Sequence, residues 1–148
     1  EGISIFIHNV ELYMFFALML IVLLVFKKKK DIFPLILTFV LFIGATQLIK
    51  VAVGRPRPFT IFNFDNLGET GINRSFPSGH TAATSSLIRF FEFNRILFWF
   101  WIAITILVAF SRVYLGMHYL SDVMAGFILG YAISDISIFL FSKARKKK

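Results

Sequence analysis

The sequence predicts an all-α protein, a polytopic bundle of transmembrane helices that forms a single membrane-embedded domain over residues 1–148. Three observations carry that expectation. Hydrophobic residues make up 57% of the chain and charged residues 16%, with 20 Phe, which is far more apolar than a soluble domain of this size. The apolar residues fall in long runs of the order of the roughly 20 residues that cross a bilayer. The basic residues behind the net charge of +8 cluster at the ends of those runs. Membrane topology explains that clustering, and no nucleic-acid partner is implied.

Five spans are expected. The first runs from Ile3 to Phe26, apolar apart from His8, Asn9 and Glu11, and Lys27 to Lys30 stop it. His8 has no identifiable partner and reads as structural or interfacial. The second covers Ile32 to about Val53, with Pro34 expected in its first turn, where proline is tolerated, and Lys50 near its far end. Gly54 to Phe76 is the one long stretch expected to be non-helical. It opens with Gly-Arg-Pro-Arg-Pro and then mixes Phe59, Phe62 and Phe64 with polar residues, as an interfacial loop does. The third span, Ser78 to Phe93, is short and rich in small residues, as for a helix packed inside a bundle. After a tight turn at Glu92 to Arg95, the fourth covers Ile96 to about Tyr114. The fifth covers Tyr119 to Phe141, and a basic tail follows. There is no cysteine to support any loop. The first residues carry neither a basic n-region nor a small-residue cleavage site, so they do not read as a signal peptide.

Lysine and arginine positions orient the bundle. Lys27 to Lys30, Arg95 and the tail basics from Lys143 onward share one side, which should be cytoplasmic. Lys50, Arg55, Arg57, Arg74 and Arg112 fall on the other side, against the rule. Basic residues placed there suggest a bound anion. Three clusters meet on that face: Lys50 to Pro58, Pro77 to His80, and Ser111 to Asp122.

The last cluster puts His118 and Asp122 four residues apart, which on a helix is one face. Asp122 could accept a hydrogen bond from one ring nitrogen of His118 and leave the other to react. Arg112 brings a permanent charge and planar donors suited to phosphate. Each piece has a plainer reading. Lys50 alone could snorkel to the interface, Arg57 could be a loop charge, Ser78 and Gly79 could simply start a helix, and His118 with Asp122 could be a structural pair. Their joint occurrence on one face favours a site.

The residues Lys50-x6-Arg57-Pro58, Pro77-Ser78-Gly79-His80 and Ser111-Arg112-x5-His118-x3-Asp122 resemble the three motifs of the type 2 phosphatidic acid phosphatase family, membrane lipid phosphatases related to the vanadium haloperoxidases. The resemblance implies that His118 is a nucleophile forming a phosphohistidine, that Asp122 orients it, and that His80 is the general acid. It implies that Lys50, Arg57 and Arg112 clamp the phosphate, with Ser78 and Gly79 donating to it. Such chemistry needs charge neutralisation and in-line positioning. No cofactor and no metal is expected, because three His, no Cys and no carboxylate cluster make a poor ligand set. The family usually has six spans; either a sixth precedes residue 1 in a longer chain or this subgroup is minimal.

The expected activity is therefore metal-independent removal of phosphate from a membrane lipid, at the extracytoplasmic side of a bacterial cytoplasmic membrane. The reading leans to a lipid A 1-phosphatase, with undecaprenyl diphosphate and phosphatidylglycerophosphate as rival substrates. A transporter or channel using the same charges is the alternative of another class. It would want polar residues continuing through the spans, which are almost wholly apolar beyond the rim.

Overall fold

The computed structural model describes residues 29–62 and 74–146. The first expected span and Phe64 lie outside the described residues. Within them the order is α1 (Lys29–Val53), α2 (Pro58–Phe62), α3 (Gly79–Ile88), a 3-10 turn (Arg89–Phe91), α4 (Arg95–Tyr114) and α5 (Leu120–Lys146). Among the described residues three stretches are long and apolar enough to cross a membrane: Ile32–Phe62, Arg95–Tyr114 and Leu120–Ala144. They match the expected second, fourth and fifth spans.

The expected third span is shorter than a crossing. α3 and its 3-10 turn together rise about 21 Å, against about 30 Å of hydrocarbon. It is instead the central helix. Thr81, Ala82, Ser85, Ser86, Leu87 and Ile88 are all buried, because α1, α4 and α5 surround it.

Periodicity explains how each long helix meets it. On α1 the buried residues are Leu35, Thr38, Phe39, Phe42 and Thr46, one helical face, while Ile36, Val40 and Ile43 point outward. Lys50 continues the inward row one turn beyond Thr46. α1 already runs through Lys29, so Pro34 lies beyond its first turn rather than in it; its carbonyl accepts a hydrogen bond from Thr38 Oγ1.

On α5 the inward row is Asp122, Gly126, Gly130, Ile133 and Ser137. A Cβ on Gly126 would lie 2.5 Å from the carbonyl oxygen of Ser78, and one on Gly130 would collide with the Ala82 carbonyl and Ser85 Oγ. The Gly126-x3-Gly130 spacing therefore lets α5 press against the small-residue face of α3. α4 is peripheral, buried only at Trp101 and Thr105. The indole of Trp101 donates to the Thr84 carbonyl at 2.8 Å and stacks on Phe91 with ring centroids 5.0 Å apart. Its other face is Ile106, Leu107 and Phe110, all largely exposed. Such a surface belongs in lipid.

Candidate active site

The chain ends α1 with Gly54 in the left-handed region (φ 59), whose N–H donates to the Lys50 carbonyl. That turn sends residues 55–62 back over the end of the bundle. Among its described residues the expected non-helical stretch thus contains one short helix, α2. Its start is pinned to the loop between α4 and α5: Phe59 N donates to the Gly116 carbonyl at 3.1 Å, and Gly116 itself has φ 65. Arg57, nearly buried, directs Nη1 to Met117 Sδ at 3.7 Å in the same loop.

His118 sits in that loop, before α5 begins at Leu120. The expectation that His118 and Asp122 share a helical face is corrected here. Asp122 is the third residue of α5, and its Oδ2 reaches back to the N–H of Tyr119 at 2.9 Å, capping the helix start. The Arg112 carbonyl accepts from both Met117 N and His118 N, at 3.1 and 3.2 Å, and this folds the histidine back under the end of α4.

His118 Nδ1 is 3.7 Å from Asp122 Oδ2, longer than a hydrogen bond. Ser75 fills the difference. Its hydroxyl donates to Asp122 Oδ2 at 2.5 Å and lies 3.4 Å from His118 Nδ1. Burial pushes the His118 imidazole below its ordinary value of 6.5; Asp122 opposes that, and Arg57 and Lys50 add to it. Both cations thus act on His118 electrostatically.

The second motif joins through the backbone. Ser78 N donates to the Asp122 carbonyl at 3.0 Å, so the N-terminus of α3 abuts the first turn of α5. Ser78 is fully buried, and its Oγ accepts from Thr81 N at 3.4 Å and Thr81 Oγ1 at 3.1 Å, as an N-cap does. A Cβ at Gly79 would meet only Thr46 Cγ2, at 3.7 Å. The chain's own packing does not require glycine there. His80, half-buried, follows in the first helical turn.

Beside this cluster lies a cavity of about 300 Å³ lined by His118 and by Pro58, Phe62, Val113, Gly116, Tyr119 and Leu120. Its walls are mostly apolar, and Phe62 and Leu120 are largely exposed at its edge. Among the described residues no His, Cys, Asp and Glu side chains group as a metal site.

Residues 31–146 match the PAP2 superfamily. The chain belongs to that family. It is 34% identical over 133 residues to an undecaprenyl-diphosphatase of Sulfolobus acidocaldarius, a match covering 85% of this chain and 63% of the relative. It is also 34% identical over 106 residues to a lipid A 1-phosphatase of Rhizobium johnstonii, covering 66% of this chain and 42% of the relative. The chain thus spans less than two thirds of either relative's length. The structure superposes on the transmembrane PAP2-type phosphatidylglycerolphosphate phosphatase of Bacillus subtilis with TM-score 0.69, at 23% identity, over 96% of this chain and 74% of that one. At that identity the likeness shows the fold alone.

Two neighbours of Asp122 have no role expected from the sequence. Ser75 gave no signal beyond standing near the second motif. Arg55 stood out only as a cation on the wrong side of the membrane. The structure puts both on Asp122.

Proposed function

We propose that the chain is a membrane lipid phosphatase that works through a phosphohistidine. The observation that carries this reading is the placement of His118. It lines the cavity with Nδ1 turned to Ser75 and Asp122, which leaves Nε2 as the reacting nitrogen, and it lies within the electrostatic reach of Arg57 and Lys50. In this mechanism Nε2 attacks phosphorus as the bond to the leaving oxygen breaks, and His80 gives that oxygen a proton. Water then attacks the phosphohistidine and passes a proton to His80, releasing phosphate and free His118. Lys50, Arg57 and Arg112 neutralise the equatorial oxygens, and the α3 N-terminus offers the N–H of Gly79, since the N–H of Ser78 is held by the Asp122 carbonyl.

The substrate we favour is a polyprenyl diphosphate, because the match to the undecaprenyl-diphosphatase extends over 85% of this chain. The lipid A 1-phosphatase relative supports lipid A 1-phosphate as the second reading. The apolar cavity walls suit the first carbons of a lipid chain in either case. The lysine asymmetry supports a site on the extracytoplasmic side of a bacterial cytoplasmic membrane. The test is phosphate release by purified protein from a panel of undecaprenyl diphosphate, lipid A and phosphatidylglycerophosphate. At least one lipid should be hydrolysed by the parent and none by folded His118→Ala. More than a trace of turnover by that variant would remove His118 as nucleophile.

A further inference from the structure

We propose that Arg55 is a positioning residue, the group that holds the Asp122 carboxylate in place behind His118. This rests on the phosphatase reading and deepens it. Arg55 leaves the turn made by Gly54 and crosses to the start of α5. Its Nη1 donates to Asp122 Oδ1 at 2.8 Å and to Ser121 Oγ at 2.7 Å. Its guanidinium lies 3.8 Å from the centre of the Tyr119 ring. One side chain therefore grips three groups at the start of α5: the ring of Tyr119, the hydroxyl of Ser121 and the carboxylate of Asp122.

The backbone braces this grip. Ser75 N donates to the Arg55 carbonyl at 2.7 Å, and Ser75 Oγ takes the other carboxylate oxygen. Residues 55 and 75 thus form a pair of jaws, one on Oδ1 and one on Oδ2. Asp122 is 0% exposed, while the Arg55 side chain is 35% exposed. A carboxylate so buried is tolerated as an anion only when paired and hydrogen-bonded. Arg55 supplies the charge that keeps it so. Nη1 is already committed to the carboxylate and to Ser121, which separates Arg55 in role from Arg57, whose Nη1 lies against Met117.

The test measures kcat, KM and inhibition by inorganic phosphate for Arg55→Ala, Arg55→Lys, Asp122→Asn, the Arg55→Ala/Asp122→Asn double variant, and Arg57→Ala as a clamp reference. Loss of the jaw should misplace Asp122 and lower kcat, by roughly 100-fold for a displacement of about 1 Å. KM and phosphate inhibition should stay as in the parent, and Arg55→Lys should recover part of the rate. The double variant should be no slower than Asp122→Asn alone, since Arg55 acts through that carboxylate. Phosphate inhibition weakened as in Arg57→Ala, or losses that multiply in the double variant, would make Arg55 a phosphate ligand and overturn the proposal. Should Arg55→Ala not fold, Arg55→Lys decides by the same split between kcat and phosphate inhibition. Parental kinetics for Arg55→Ala beside an inactive His118→Ala would remove only the role of Arg55; turnover by His118→Ala would remove the phosphatase reading itself.

Discussion

The two ends of the bundle each hold an arginine against an aspartate at the same distance. At the site end Arg55 Nη1 meets Asp122 Oδ1 at 2.8 Å; at the opposite end Arg89 Nε meets Asp135 Oδ1 at 2.8 Å. The difference is water. Asp122 is 0% exposed and Asp135 is 55% exposed. Asp122 also accepts hydrogen bonds from Ser75 Oγ and Tyr119 N, and His118 Nδ1 lies 3.7 Å away. Arg89 is shared between Asp135 and Glu92 at an open rim. An exposed pair is worth about 0–1 kcal/mol, whereas breaking a buried one strands a charge at about 3–5 kcal/mol. Distance alone does not tell a site from a rim; burial and the number of partners do.

The largest effect that would break this comparison lies in the two carboxylates. Asp122→Asn keeps the shape but removes the charge behind His118, and kcat should fall by about 10⁴-fold, the scale for the carboxylate behind a catalytic histidine. Asp135→Asn should leave kcat unchanged and move stability by less than about 1 kcal/mol. Phosphate release and thermal unfolding in the same detergent check both. Comparable losses at the two ends would mean that the rim pair is also part of the site.

A second contrast concerns glycines. Gly130 faces Ala82 and Ser85 of α3 with no room for a Cβ, whereas Gly44 on α1 has nothing within 4 Å. Gly130→Val forces the two helices apart and should cost about 3 kcal/mol of stability, at the upper end for overpacking. It should also lower activity, because α3 carries Ser78 and His80. Gly44→Ala should be neutral or stabilise by up to about 1 kcal/mol. Unfolding midpoints check the pair, and an undisturbed Gly130→Val would show that α3 and α5 pack less closely than the structure has them.

Much of the fold was legible because membrane crossing leaves strong marks in a chain. Long apolar runs marked the stretches that became α1, α4 and α5. The motif spacing singled out Lys50, Arg57, His80, Arg112, His118 and Asp122 as candidates, and the structure brings Asp122 within 3.7 Å of His118. The misses were local or tertiary. His118 falls before α5 because the Asp122 side chain caps that helix at Tyr119, and spacing of four alone cannot distinguish a helical turn from a cap. The third span reads as a crossing by composition, yet its helix stops at Ile88 because burial among other helices, not length, stabilises it. Ser75 and Arg55 reach Asp122 across 47 and 67 residues, and no periodicity announces contacts of that range.

The remaining prediction separates the ends by titration. Among the described residues no histidine joins the ion pairs of Arg89, Glu92 and Asp135, while His118 lies beside Asp122 at the other end. Its folded pKa is lowered from 6.5, first by burial, then by Arg57 and Lys50 against the pull of Asp122. In the proposed mechanism the nucleophile is the neutral ring, so kcat/KM should stay flat as pH falls to 6.5 and decline only below it. Unfolded His118 takes up its proton near its ordinary value, the folded ring only at lower pH. The unfolded state therefore binds more protons in that window, and stability falls as pH drops from 6.5 toward the folded pKa. His118→Gln should remove this part of the slope. Lys50→Met removes one of the cations that disfavour the charged ring, so the acid limb of whatever activity remains should move to higher pH. An acid limb in the parent above 6.5, or one that moves downward in Lys50→Met, would mean that another group sets it.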